Sequence, residues 1–250
     1  IVIVGGGTGG WITASLLAKV LGKTINITLV ESDKIGIIGV GEATIPPIIS
    51  FNNALGIDEK EFIKATKATI KLGIQFENWS AGGSRYMHAF GEIGKNFPFC
   101  VFHNFWVKSQ QMGIESDFWD FSLNYQAAIH GKFDKINNIE GTNLPGISYA
   151  YHFDAGLYAK FLRQFCEKLG VKRIEGTINK VSLNESNGYV KTLHLEDGSE
   201  ISGDLFVDCT GLAALLIEKT LNTGYEDWSH WLPCDRAMAV PTESTEKIIP

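Results

Sequence analysis

The chain has 250 residues, of which 44% are hydrophobic, 11% aromatic and 20% charged, enough to bury a full core and incompatible with a collagen-like, low-complexity or disordered chain. Its 22 Lys and Arg against 28 Asp and Glu leave a net charge of −6 with no basic run, which argues against a nucleic-acid partner. No uncharged apolar stretch approaches the ~18–20 residues of a membrane span, no secretory leader is evident, and the four cysteines lie far apart without C-x-x-C spacing, so a cytoplasmic protein with reduced thiols is expected.

The first predicted element is an apolar strand, Ile1 to Val4, running into Gly5-Gly6-Gly7-Thr8-Gly9-Gly10, which satisfies G-x-G-x-x-G at Gly5, Gly7 and Gly10. Trp11 to Leu21 predicts a helix with Ile12, Leu16, Leu17, Val20 and Leu21 on its apolar face and Gly22 as its C-terminal cap. A second strand, Ile25 to Val30, ends at Glu31, 21 residues beyond Gly10, where an acidic side chain can take both ribose hydroxyls of an adenosine. Glycines let the backbone approach a pyrophosphate, whose charge is met by free N–H groups at the helix N-terminus. Together these elements predict a dinucleotide site. The chain opens inside a strand without an initiator Met and stops at "ESTEKIIP", so further chain is expected beyond Pro250.

Gly39-Val40-Gly41-Glu42-Ala43-Thr44 is a glycine-rich, apolar loop closed by Pro46-Pro47, suited to close backbone approach and also to a buried crossover. A helix follows Asp58, with Lys64 and Lys67 on its surface. In Ile70 to Phe76, apolar side chains alternate, which predicts a strand with Lys71, Gly73 and Gln75 on the face opposite Ile70, Leu72, Ile74 and Phe76. On this pattern alone Lys71 reads more readily as a solvated lysine than a reactive one. Phe97-Pro98-Phe99, with Phe102, Phe105 and Trp106 nearby, serves equally well for stacking an aromatic ring or for core packing.

Asp154 predicts the N-cap of a helix whose inner face carries Leu157, Phe161, Leu162 and Phe165, and His152 before it reads as a structural hydrogen-bonder. From Lys172 onward, short β-rich pieces punctuated by Asn187-Gly188 and Asp197-Gly198 predict a β-meander. A buried strand, Asp204 to Asp208, then leads through Cys209-Thr210-Gly211 into an expected helix over Leu212 to Leu221. A meander followed by a strand that returns beside the first fits a flavin domain of the hydroxylase type better than an NAD domain, so FAD is the expected dinucleotide. The six histidines are scattered, and no metal site is expected.

The segments "GGGTGGW", "VESDKIGIIGVGEATIPPI", "KATIKLGIQFENW", "YAYHFDAGLYAKFL" and "DLFVDCTG" resemble, in order, the flavin-dependent halogenases of the tryptophan halogenase type, over residues 1 to about 240. The resemblance implies an α/β fold: a Rossmann-like FAD-binding domain of the hydroxylase type, about 1–50 and 150–222, with its β-meander, and a largely helical substrate module inserted at about 51–149. It implies reduced FAD supplied by a separate flavin reductase, O₂, and a halide ion converted to hypohalous acid, which a lysine matching Lys71 activates against an electron-rich ring such as indole. The cofactor contacts it implies are Gly5, Gly7, Thr8, Gly10, Glu31, Gly41, Glu42, Ala43, Thr44, Asp208 and Gly211, and the substrate contacts are Phe97, Pro98 and Phe99. Thr210, where hydroxylases carry the Asp of an Asp-Gly pair, favours halogenation over hydroxylation. Phe97, where tryptophan-specific relatives carry His, leaves free indole or a bulkier aromatic open. The family's Trp-x-Trp-x-Ile-Pro signature and catalytic glutamate are expected beyond Pro250. The expected partners are a small aromatic substrate and the reductase, with no nucleic acid and no membrane, and a homodimer stays open beside a monomer. An FAD-dependent aromatic hydroxylase and a non-catalytic flavin-binding module remain the alternatives.

Overall fold

The computed structural model describes residues 1–36, 39, 42–236, 238, 240, 243 and 250. In chain order the first half holds β1 (Val2–Val4), α1 (Thr8–Leu21), β2 (Thr28–Glu31), β3 (Glu42–Ala43), α2 (Pro47–Leu55), α3 (Glu59–Thr66), β4 (Thr69–Lys71), β5 (Gly73–Glu77) and β6 (Arg85–Ala89). There follow α4 (Phe102–Gln111), α5 (Leu123–Ile129), β7 (Ala150–Phe153), α6 (Ala155–Lys168), β8 (Lys172–Glu175), β9 (Ile178–Leu183), β10 (Val190–Leu195), β11 (Glu200–Ser202) and β12 (Phe206–Asp208). These fall into two units, one of residues 1–42, 59–67 and 153–242, the other of 43–58, 68–152 and 243–250. No described helix is long and apolar enough to cross a membrane.

The first unit is built on a parallel sheet in the order β12-β1-β2-β8, with Val4 beside both Asp208 and Val30. Strands covered on both faces read as unbroken apolar runs, and β1 is Val-Ile-Val with all three residues buried. Alternation sends Val2, Val4 and Val30 to the face that packs on Leu193, Leu195 and Ile201 of the antiparallel β9-β10-β11 meander, and Ile3 and Leu29 to the other. The two expected turns close the meander, with Gly188 and Gly198 in the left-handed region. β12 returns beside β1 as expected, whereas β8, expected in the meander, pairs in parallel with β2.

Helix α1 buries a different face from the one predicted, and α6 a face rotated from it that keeps only Leu162 of the predicted set. In α1 it is Trp11, Ala14, Ser15 and Ala18, while Leu16 and Val20 are 42% and 69% exposed. In α6 it is Ala155, Tyr158, Ala159, Leu162 and Cys166, with Leu157, Phe161 and Phe165 half-buried. The two helices pack on each other, and the Cys166 Sγ lies 3.8 Å from the Trp11 carbonyl. Close packing selects small residues at the contact, and a periodicity read only from large apolar side chains misplaces the seam.

The expected helix over Leu212 to Leu221 is instead a 3₁₀ turn, Gly211–Ala213, followed by successive turns. Ala214 takes φ +42°, which interrupts an α-helix, and the side chains of Thr210 and Asp208 claim the N–H groups of Leu215, Leu216 and Ile217.

In the second unit, β3, β7 and β4 line up in that order, with β4 antiparallel to β7 and Lys71 opposite Ala150. The single strand expected over 70–76 is broken at Leu72, because β5 pairs with β6 in a separate hairpin. Gly73 permits this: a Cβ there would lie 2.6 Å from the His88 carbonyl and 2.8 Å from the Ala89 Cα. Buried Asn124 ties the unit together, donating to the carbonyls of Leu72 and Ser148 and accepting from the Ser148 N–H at 3.2 Å.

Candidate active site

The glycine turn between β1 and α1 is shaped by contacts that exclude side chains on one side and leave space on the other. Gly5 has φ +108°, and a Cβ there would strike the Cys209 carbonyl; a Cβ on Gly10 would strike the Gly5 carbonyl. Gly7 and Gly9 face open space. Gly7 is the N-cap of the 14-residue α1, no side chain caps it, and the first turn holds no acidic residue. Unclaimed N–H groups at the positive end of a helix, beside a side-chain-free backbone, are what a pyrophosphate requires. Thr8 begins the helix there.

Glu31 ends β2, as the spacing predicts, with its carboxylate over Gly6, where a Cβ would overlap it. Arg173 Nε donates to its Oε1 at 2.5 Å, Arg163 lies 3.9 Å from the same oxygen, and Trp11 Nε1 donates to Oε2 at 3.3 Å. Arg173 also bridges to Asp33 at 2.6 Å. Burial alone would lower the pKa of Arg173, but its bonds to Glu31 and Asp33 outweigh that and raise it.

Asp208, at the end of β12, uses both carboxylate oxygens within its own loop. Oδ1 accepts from the Thr210 N–H at 3.0 Å and hydroxyl at 2.6 Å, and Oδ2 from the N–H groups of Leu216 and Ile217 at 2.7 and 2.9 Å. Burial would raise its pKa, and these bonds prevail and hold it below the ordinary value. Asp208 therefore organises the turn that carries Gly211, whose φ is +60°.

In the second unit the sheet places Lys71 in the interior. It is 5% exposed, against the expectation from alternation, because the chain changes sheets directly after it and both Lys71 and Leu72 turn inward. Its Nζ donates to the Thr44 carbonyl at 2.9 Å and lies 5.5 Å from the centre of the Phe90 ring. Thr44 is in turn pinned to Tyr151, its N–H and hydroxyl donating to the Tyr151 carbonyl at 2.9 Å and its hydroxyl accepting the Tyr151 N–H at 3.1 Å. Burial pushes the pKa of Lys71 below the ordinary lysine value. His152, the diagonal neighbour of Lys71 across β4 and β7, has its pKa lowered by burial and then by the lysine's charge.

Thus Lys71 and Thr44, read separately from the sequence, are in direct contact. Glu42 and Ala43 form β3, and Gly41 lies outside the described residues. Phe97 stacks on Phe99 with centroids 5.9 Å apart and meets Phe105 edge-on at 5.6 Å, while Phe97 and Phe99 remain 42% and 84% exposed. Lys64 and Lys67 are exposed, and Asp154 caps α6 by accepting from the Leu157 N–H at 2.7 Å. Among the described residues no group of three His, Cys, Asp or Glu could hold a metal, and His194 pairs with Glu200 alone of that set at 3.1 Å. Arg173 and Trp11 escaped the sequence reading because their link to Glu31 depends on the β2–β8 pairing and on the true inner face of α1, neither of which the periodicity revealed.

The whole chain, residues 1–250, matches the family model for tryptophan halogenase. It is 35% identical to tryptophan 7-halogenase RebH of Lentzea aerocolonigenes, over 96% of this chain and 47% of that protein. Among solved structures, Xcc4156, a flavin-dependent halogenase from Xanthomonas campestris, matches with a TM-score of 0.86 at 50% identity, covering 92% of this chain and 46% of its own. BrvH, a flavin-dependent halogenase from Brevundimonas sp. BAL3, matches with a TM-score of 0.85 at 42% identity, over 93% and 46%. The chain spans about half the length of these proteins.

Proposed function

Since the chain belongs to the tryptophan halogenase family, we propose that it serves in a halogenase that uses reduced FAD from a separate reductase, O₂ and chloride or bromide to halogenate an indole-like ring. The observation that carries this reading is the buried Lys71, its ammonium on the Thr44 carbonyl at 2.9 Å and its pKa lowered by burial.

When bound, reduced FAD supplies with O₂ the oxidising power that turns halide into hypohalous acid. The residues of the first unit fit this cofactor: the uncapped start of α1 at Gly7 and Thr8, with open space where a Gly7 side chain would be, suits the pyrophosphate, Gly5 and Gly10 hold the turn tight, Glu31 would accept a ribose hydroxyl, and Asp208 fixes the loop of Gly211. Gly41, Glu42, Ala43 and Thr44 are assigned as a strap along the flavin. An ammonium has three donors, of which one goes to Thr44 among the described residues, leaving donors for the oxygen of hypohalous acid. The ring carbon attacks the halogen, the C–X bond forms as the O–X bond breaks, and the oxygen takes a proton from Lys71 and leaves as water. Loss of the ring proton balances the step, so that ring C–H and HOX give ring C–X and H₂O. Phe97, Pro98 and Phe99 offer an aromatic face to the ring.

The test is to incubate the full-length protein with FAD, a reductase, NADH, O₂ and indole, with chloride or bromide, and to read halogen isotope patterns by mass spectrometry. Halogenated product that vanishes in Lys71→Ala supports the reading. Hydroxylated product without halogen defeats it.

A further inference from the structure

Three elements converge on Glu31: Trp11 from α1, Arg163 from α6 and Arg173 from β8. A carboxylate oxygen accepts two hydrogen bonds. Oε1 takes Arg173 and lies 3.9 Å from Arg163, beyond hydrogen-bonding distance, and Oε2 takes Trp11 among these groups, so an acceptor position is left on each oxygen. Oε2 is also the atom that a Cβ on Gly6 would overlap, which places its remaining acceptor against the glycine turn. Arg173 is itself fixed by register beside Leu29 and anchored at its far end by Asp33.

From this geometry we infer that Arg173 is a positioning residue for nucleotide binding: it holds the Glu31 carboxylate so that Oε2, the oxygen at the glycine turn, accepts an adenosine ribose hydroxyl. The inference rests on the reading of Glu31 as the ribose ligand. Arg173 acts through Glu31 and needs no contact of its own with the nucleotide. Its loss frees the carboxylate to rotate toward Arg163, and the hydroxyl then meets an acceptor that is no longer aimed. A charge-assisted hydrogen bond of this kind corresponds to about tenfold or more in affinity.

The test measures binding of ADP, 2′-deoxy-ADP and 3′-deoxy-ADP to the wild-type protein and to Glu31→Gln, Arg173→Gln and Arg173→Lys, by calorimetry, with melting curves beside each titration. The expected result is that the wild type disfavours one of the two deoxy analogues about tenfold, that both glutamine variants lose this discrimination, and that Arg173→Lys regains part of it. A discrimination ratio does not move when a substitution merely loosens the sheet, so it separates positioning from stability. If Glu31→Gln abolishes discrimination and Arg173→Gln retains it, Arg173 has no positioning role. If Glu31→Gln retains it, or the wild type shows none, the ribose reading itself falls and the inference with it.

Discussion

The Lys71 ammonium donates to the Thr44 carbonyl at 2.9 Å, joining the end of β4 to the residue directly after β3. A cation 5% exposed is thus met by a neutral carbonyl, and among the described residues no carboxylate pairs with it. Such a charge costs stability wherever it remains protonated in the fold.

Lys71→Met is therefore expected to melt no lower than the wild type at pH 7 while losing halogenation. The folded pKa of Lys71 lies below the unfolded value, so between the two the unfolded chain binds the extra proton and wild-type stability rises with pH. The gap between the proteins should narrow as pH climbs toward the ordinary lysine value, about 10.4. Calorimetry at pH 7, 8.5 and 10 checks both statements, and a variant that melts several degrees lower at pH 7 contradicts them.

Asp208→Asn replaces an acceptor pair with an amide whose NH₂ faces backbone donors, and is expected to cost about 2 kcal/mol in urea unfolding. The wild-type carboxyl has a depressed folded pKa, so its contribution is complete above the unfolded value, about 3.9, and is lost as pH falls through the folded one. Wild-type stability should accordingly drop more steeply than that of Asp208→Asn below about pH 4. Parallel acid profiles would reveal a different source.

Asn124→Ala leaves the half-buried Ser148 without the amide's donor to its carbonyl and acceptor for its N–H, while the Leu72 carbonyl keeps the Phe90 N–H at 2.8 Å. A loss of about 2–3 kcal/mol is expected. Chemical denaturation measures it, and a loss below about 0.5 kcal/mol would show that the polar tie is dispensable.

Gly7 and Gly10 should separate cofactor binding from folding. A Cβ on Gly7 meets nothing within 4 Å, so Gly7→Ala is expected to fold normally and to bind FAD at least tenfold more weakly, by intrusion where the pyrophosphate approaches. Gly10→Ala drives its Cβ into the Gly5 carbonyl and should lower the melting temperature itself. Flavin fluorescence titrations and melting curves distinguish the two.

The strand, glycine turn, helix, strand and Glu31 were legible in sequence because each obeys a local rule of period, cap or spacing. So was the return of β12 beside β1, signalled by the meander before it. Features set by tertiary choice were not. Ala14, Ser15 and Ala18 carry the α1 seam, yet Leu16 and Val20 dominate any reading based on apolarity. The Lys71 alternation was real in sequence and broken in space, since one residue, Leu72, carries the chain from the β7 partner to the β6 partner. In sequence β8 reads as part of the meander because short β-rich pieces look alike, and only pairing distinguishes them. The side chains of Thr210 and Asp208 divert the N–H groups of Leu215 to Ile217 from the helix that their apolar spacing forecast.

The order β12-β1-β2-β8 also governs when the nucleotide turn can form during synthesis. The Cys209 backbone that packs against Gly5 is translated roughly 200 residues after β1, some 10–40 s at ordinary elongation rates. Until then Val2, Ile3 and Val4 form an apolar segment with an open edge, available to chaperones and to wrong partners alike. A pairing of this sequence separation also carries a large loop-closure penalty, so closure of β1 against β12 belongs among the slow steps of folding.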